Sequence, residues 1–471
     1  MDPWRLYTGC VNKRESLFCA LSGSNNAPDF ALMPIFRQIA WLAPLLVSAT
    51  ALAQDDRYPQ SLPTVTGSVS ATQPDKWSGE PGASGHPLMM PNAILAAVAD
   101  FKNCLERLWP DAARRGISRA TFDKFTGDLE ADVKIMDYVD SQPEFTRAFW
   151  DYLDLLVTEE RITKGRELLA ANAAVFDAVE KAYGVDRTII AAIWGVETKY
   201  GTVAGERPVI RSTATLACVG RRQAYFKDEF LATLEILQRG DIKPEALKGS
   251  WAGAFGATQF MPTAFKRYAV DFDHDARRDI VGNISDIVAS TANHLKVAGW
   301  VPGQTWGYEV ALPAGFNYLL ADPAKKLTLA EWARHGITRP AGAPFPRPAD
   351  RATLFIPAGA RGPAFLLLDN FRALMKYNPA EAYALAAGHL ADRLRGGGPI
   401  VGAWPRDERV LSRAERLELQ QQLARHGFDV GEPSGRLGLK TRAAVRDFQA
   451  RSGLVPDGFA TVAILERLRA R

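Results

Sequence analysis

The run Arg395-Gly396-Gly397-Gly398-Pro399 constrains this chain more than any other feature. Three successive glycines have no side chains to pack, and the proline that follows cannot continue a helix, so no regular element runs through the run. Residues on either side must bury separate cores. A length of 471 residues also points to two or three domains rather than one. Upstream, helical patterns dominate from about 92 to 300, with segments near 101–109, 145–169, 174–183 and 189–200. Between about 306 and 370 the texture changes. Tyr308-Glu309-Val310-Ala311-Leu312 and Ala352-Thr353-Leu354-Phe355-Ile356, bounded by Pro and Gly, read as short strands. A helix returns at 379–395. The expected class is therefore mainly α: a large helical domain over 93–395 with a small β-containing subdomain, a linker over 396–410, and a small helical unit over 411–471.

That last unit has its own pattern. Leu419, Gln422 and Leu423 recur at helical spacing, as do Val445, Phe448 and Gln449. Turns fall at Gly427-Phe428-Asp429, at Gly435 and at Asp457-Gly458, giving three helices joined by glycine-containing turns.

At the other end, Met33 begins MPIFRQIAWLAPLLVSATALAQ. Arg37 supplies a positive start, 39–47 an apolar stretch, and Ala51-Leu52-Ala53 a small-x-small cleavage pattern, so 33–53 reads as an export signal cleaved after Ala53. The alternative is a buried or anchoring helix, but the run is short for a membrane span. Residues 1–32 read as an upstream extension from a misassigned start, and 54–92, rich in Pro, Gly, Ser and Thr, as a disordered linker. On this reading the mature protein is periplasmic, has no integral membrane segment and is a monomer.

Composition narrows the function. A net charge of +4 over this length lacks the dense basic patches that nucleic acid requires. The four cysteines form no CxxC pair and the six histidines no HExxH, which disfavours a zinc peptidase or amidase. Cys10 and Cys19 precede the cleavage point. Cys104 and Cys218 remain, as a disulfide in an oxidising compartment or as two unrelated buried thiols.

The chemistry lies in Asp186-Arg187-Thr188-Ile189-Ile190-Ala191-Ala192-Ile193-Trp194-Gly195-Val196-Glu197-Thr198-Lys199-Tyr200-Gly201. Asp186 can cap this helix and Gly201 can end it. At about 100° per residue, Ile189, Ile190, Ile193, Val196 and Tyr200 share an arc that also holds Glu197, with Thr198 and Lys199 outside it. A carboxyl among apolar side chains is costly unless neutral or paired. Burial favours its protonated form, which suits a general acid. A glutamate held by a buried arginine or by backbone amides fits the periodicity equally well.

The wording of this helix is similar to that of the lytic murein transglycosylase B family, which carries Gly-x-Glu-[Ser/Thr] followed by an aromatic and Gly. The resemblance runs across about 93–395. Gly249-Ser250-Trp251-Ala252-Gly253-Ala254-Phe255-Gly256-Ala257-Thr258-Gln259-Phe260-Met261-Pro262 matches a long family motif. Its small residues would let backbone approach a sugar chain closely. Tyr377-Asn378-Pro379-Ala380-Glu381-Ala382-Tyr383-Ala384 resembles another motif, with Ala380 in place of a small hydroxyl residue. Phe149-Trp150-Asp151-Tyr152-Leu153 fits a third. The tail, 411–471, resembles the three-helix peptidoglycan-binding domain at the ends of many wall-lytic enzymes.

The resemblance implies a lysozyme-like fold that acts on peptidoglycan glycan strands. The bond between N-acetylmuramic acid and N-acetylglucosamine would be cut without water, leaving a 1,6-anhydro ring, with Glu197 as sole acid and base. It also implies that Tyr152, Ser250, Gln259, Tyr377, Asn378 and Tyr383 line the cleft. His294 stands where the family has tyrosine, and keeps or loses that contact. No cofactor is required. Asp271, Asp273 and Asp275, closed by Asp286, resemble a calcium loop, although Ala276 occupies the sixth position, where such a loop normally has glycine. A solvated acidic loop neutralised by Arg277 and Arg278 is the alternative. Two other functions stay open: a hydrolytic muramidase using Glu206 or Asp271 as second carboxylate, and a non-catalytic wall-binding protein.

Overall fold

A computed structural model describes residues 77–80, 82, 85–139 and 147–470. The expected signal and most of the expected linker lie outside the described residues. The packed chain begins earlier than the sequence suggests. Met89 is fully buried, and Pro91, with no amide hydrogen to satisfy, opens the first helix. None of the described helices is long and apolar enough to cross a membrane.

The protein is mainly α, as the periodicity predicts. Three N-terminal helices, α1 (Pro91–Ala99), α2 (Phe101–Arg114) and α3 (Arg119–Thr126), share a core with α8 (Val209–Cys218) and α9 (Gln223–Arg239). Cys104 on α2 and Cys218 on α8 are joined by a disulfide, their Cα atoms 6.0 Å apart. The helical segment expected near 145–169 holds two helices, α4 (Phe149–Leu156) and α5 (Glu159–Ala171). Thr158 separates them because its hydroxyl accepts from the Arg161 amide and caps the second. Then come α6 (Ala173–Tyr183) and α7 (Arg187–Thr198). A second core surrounds α7, built with α10 (Pro262–Tyr268), α11 (Ile284–Val297), α13 (Asp369–Tyr377) and α14 (Glu381–Leu394).

Two short strands, β1 (Arg207–Pro208) and β2 (Lys248–Gly249), pair antiparallel. The β-containing subdomain is a four-stranded antiparallel sheet in the order β3-β6-β5-β4, from β3 (Gly307–Val310), β4 (Lys326–Thr328), β5 (Arg351–Phe355) and β6 (Ala364–Leu367). It closes over a core that holds Trp332 of α12 (Leu329–Arg334), whose indole N–H donates to the Ala352 carbonyl at 2.9 Å.

The tail forms three helices, α15 (Arg413–Arg425), α16 (Leu439–Arg451) and α17 (Val462–Arg469), around Leu419, Leu423, Val445, Phe448 and Leu465. Two buried glutamines fix its turns. The Gln420 carbonyl oxygen accepts from Ser434 and Gly435 amides at 2.9 and 2.8 Å, and that of Gln449 accepts from the Gly458 amide at 2.7 Å. Helical spacing singled out Gln422 in place of Gln420. It selects residues for an apolar face, whereas Gln420 is buried to satisfy backbone amides.

Candidate active site

Helix α7 is buried from Thr188 to Thr198, so it is a central helix and not one with a single apolar arc. Thr198, placed outside the arc by periodicity, is 1% exposed and donates to the Ala257 carbonyl at 2.6 Å. Asp186 caps the start as expected, accepting from the Thr188 amide at 2.8 Å. The end comes sooner than Gly201, because Lys199 and Tyr200 already adopt φ of 48° and 60°. This reversal folds the Tyr200 ring back beneath α7, where its hydroxyl donates to the Arg161 carbonyl at 2.9 Å. A Cβ on Gly195 would lie 2.7 Å from the Tyr200 ring carbon that bears the hydroxyl. Glycine two residues before Glu197 is therefore a packing requirement.

Glu197 is 5% exposed. The Tyr383 hydroxyl of α14 donates to its Oε1 at 2.7 Å. Tyr383 is fully buried, and burial, reinforced by the nearby Glu197 charge, holds its phenol proton well above the ordinary tyrosine range. Tyr383 is thus a fixed donor. Tyr377 stacks parallel to it, ring centroids 6.5 Å apart, and donates to the Thr258 carbonyl at 2.6 Å. Burial likewise keeps the Tyr377 phenol protonated, with Glu197 contributing. Tyr152 of α4 is also fully buried, and its phenol interacts electrostatically with Tyr383. The three phenols expected at the site, Tyr152, Tyr377 and Tyr383, thereby gather around Glu197.

The aromatic column continues outward. His294 of α11 lies between Tyr377, at 4.6 Å, and Tyr268, stacked on it at 4.1 Å and 10°. Burial, with Arg267 adding, pulls the imidazole down to about 3, so it is neutral. Its Nδ1 is buried with no hydrogen-bond partner among the described residues. The ring is a stacking layer beside Tyr377. Tyr268 was not singled out in the sequence. An aromatic in an ordinary amphipathic turn carries no mark of its partner.

The 249–262 motif wraps the other side. Two of its glycines, Gly249 and Gly256, approach protein backbone, and Gly253 approaches the Thr213 side chain. A Cβ on Gly249 would lie 2.0 Å from the Ala254 carbonyl oxygen, and one on Gly256 2.7 Å from that of Ile280. Ser250 serves this turn, accepting the Ala254 amide at 3.1 Å. Gln259 adopts φ of 54° and donates to the carbonyls of Ala204 and Gly256 at 3.1 and 3.0 Å. Its side-chain carbonyl oxygen is left buried without a partner among the described residues. Asn378 accepts the Ala380 amide at 3.2 Å, which stabilises the entry to α14 despite the missing hydroxyl at Ala380.

The two rival second carboxylates sit in different surroundings from Glu197. The Glu206 side chain is 90% exposed and paired with Lys248. Asp271 accepts the Asp275 and Ala276 amides at 3.1 and 2.9 Å. Another buried glutamate, Glu229, meets the structural description considered for Glu197. It accepts the Thr263 amide and hydroxyl at 2.9 and 2.7 Å and so caps α10.

The acidic loop sits against the motif, since the Ile280 carbonyl accepts the Ala257 amide at 3.0 Å. Asp271, Asp273 and Asp286 can each bring one oxygen within 4.8 Å of the others, an all-oxygen set suited to a hard cation. Asp275 is not part of this group and accepts the Arg277 amide at 2.9 Å. Ala276 takes φ of 70°, so the sharp turn forms without glycine. The donor set therefore fits calcium.

The transglycosylase SLT domain matches residues 100–392, and a putative peptidoglycan binding domain matches residues 412–468. Membrane-bound lytic murein transglycosylase B of Escherichia coli (strain K12) is 26% identical over 369 residues, 75% of this chain and 96% of that protein. SltB3 of Pseudomonas aeruginosa, solved in complex with NAG-anhNAM-pentapeptide, is 47% identical with a TM-score of 0.76, over 78% of this chain and 99% of that one. Soluble lytic transglycosylase SltB1 of Pseudomonas aeruginosa is 27% identical with a TM-score of 0.55, over 63% and 100%.

Proposed function

The chain belongs to the transglycosylase SLT domain family and is a peptidoglycan lytic transglycosylase, and from that premise we propose that Glu197 alone serves as acid and then base. The observation that carries the assignment is the 2.7 Å hydrogen bond from Tyr383 to a carboxyl that is 5% exposed. With the Tyr383 hydroxyl donating to Oε1, the acid form carries its proton on Oε2. That proton passes to the oxygen bridging N-acetylmuramic acid and N-acetylglucosamine as the bond to C1 breaks. Oxocarbenium character develops at C1, assisted by the substrate's own acetamido group. The Glu197 carboxylate, now held by Tyr383, removes the proton from the C6 hydroxyl. That oxygen bonds to C1 and closes the 1,6-anhydro ring, returning Glu197 to its acid form. The nucleophile belongs to the substrate, so the usual second carboxylate of a glycosidase is not needed. Gln259 contributes the carbonyl oxygen that lacks a partner, which a sugar hydroxyl or amide can donate to. Mass spectrometry of digested sacculi tests the reaction: every new muramic end should be lighter by one water than a reducing end. Reducing ends as the main product would establish the hydrolase instead.

An extracytoplasmic setting suits a wall polymer and the Cys104–Cys218 disulfide. In our reading, residues 33–53 export the enzyme to the periplasm. Amino-terminal sequencing of the exported protein should then begin at Gln54, and a retained leader would refute it.

Calcium, when bound, would be held by Asp271, Asp273 and Asp286 and would bind the loop to the 256–257 turn as a structural ion. Millimolar calcium should raise the Tm of chelator-treated protein, because a ligand that binds only the folded state stabilises it. The Asp271→Asn/Asp273→Asn variant should lose the response. A Tm indifferent to calcium in the parent protein removes the site.

A further inference from the structure

The C-terminal module is joined to the catalytic domain by more than a linker. Arg442 of α16 donates to Glu381 of α14 at 2.8 Å, and its Nε is steadied by the Leu437 carbonyl at 3.3 Å. One turn further along α16, Arg446 donates to the Ala321 carbonyl at 2.9 Å. Asp457 accepts the Ala360 amide at 2.9 Å. The approach is close there: a Cβ on Gly359 would lie 2.4 Å from the Asp457 carboxylate and 2.7 Å from Phe459. Phe459 packs with Trp404 against a small apolar cluster of Ala148, Trp150 and Ala358.

Two of these contacts fall on elements that carry the site. Trp150 is on α4, two residues from Tyr152. Glu381 is the first residue of α14, two residues from Tyr383. At about 100° per residue, positions two apart point to nearly opposite sides of a helix. Glu381 faces the module and Tyr383 faces Glu197, so the first turn of α14 is gripped from both sides. That turn has no side-chain cap of its own, because Ala380 precedes it. An ion pair between groups about one-third exposed adds little to global stability. What it can do here is fix the direction in which a short, weakly capped turn presents its phenol.

We propose that the wall-binding module is a positioning element of the active site: Arg442, acting through Glu381, holds the turn that aims Tyr383 at Glu197. Arg442 and Glu381 are positioning residues and touch no substrate. The proposal rests on the assignment of Glu197 and Tyr383 above.

The full-length Arg442→Gln and Glu381→Gln proteins should lose about tenfold in kcat on a short soluble glycan fragment, less than the ~100-fold that a full 1 Å misplacement can cost. KM on that fragment and pelleting with sacculi should stay unchanged. A purely structural or tethering role would alter Tm or sacculus binding and leave soluble turnover alone. The charge-swapped Arg442→Glu/Glu381→Arg protein should recover most of the lost kcat. Parental kcat in both single variants, with Tyr383→Phe slow, overturns the coupling and leaves the site assignment standing. Parental kcat in Tyr383→Phe overturns the assignment, and the coupling with it.

Discussion

Glu197→Gln should abolish wall lysis, lowering kcat by ~10³-fold or more, because the same carboxyl gives the first proton and takes the second. The amide is nearly isosteric and its carbonyl oxygen can still accept from Tyr383, so the hydrogen bond at Oε1 survives. What disappears is a proton that can be donated to the bridging oxygen and a base that can recover one from the C6 hydroxyl. Folding should be preserved, with a single melting transition near that of the parent. Pelleting with sacculi should be retained, since the glutamine-fixed turns of the C-terminal module lie in a separate core. The measurement is release of soluble muropeptides from purified sacculi, with pelleting as the control. Substantial release by the Gln variant would mean that another group does the chemistry. Glu229 is the buried alternative, but both its oxygens are engaged by Thr263 at the start of α10. Loss of lysis with binding intact also removes the non-catalytic wall-binding reading.

Such a test could be framed from sequence because some features depend on local chemistry. Asp186 caps α7, and the periodicity placed Glu197 among buried residues. The glycine run ahead of Pro399 follows the end of α14 at Leu394, and the texture change near 306 coincides with the start of β3 at Gly307. Other features depend on partners distant in the chain. Periodicity cannot distinguish a half-buried helix from one enclosed on all sides, so Thr198 was left outside the core. The 249–262 glycines announce a close approach without saying to what. The structure shows Ala254 and Ile280 carbonyls where a sugar had been expected. By position, His294 either keeps or loses the contact of the tyrosine it replaces, and its burial as a neutral ring between Tyr268 and Tyr377 is visible only in the fold. The contact between Arg442 and Glu381 spans the linker and leaves no trace in either local pattern.

Tyr383→Phe should lower kcat by about 100-fold while leaving KM nearly unchanged, since one preorganised donor to a developing charge is worth roughly 10²–10³ in rate. The phenol contacts Glu197, and the proposed chemistry requires that group to become a carboxylate midway through the reaction. A neutral donor at 2.7 Å favours that charged state, and burial keeps Tyr383 protonated far beyond neutral pH, so it never competes for the proton. Removing the hydroxyl leaves Oε1 without this donor and makes the carboxylate state harder to reach. The sign of the pH effect follows. Activity needs the acid form at the outset, so the rate falls where pH rises enough to ionise it. Weakening the ionised form must carry that descending limb to higher pH. The variant should therefore be slower at its optimum yet fail later on the alkaline side. Stability should fall by about 1 kcal/mol, the net worth of one intramolecular hydrogen bond. The pH–rate profile on a soluble glycan fragment separates this from mere loosening of the fold, which would lower the whole curve without moving its limb. A limb that stays in place would mean that Tyr383 braces α14 without stabilising the charge on Glu197.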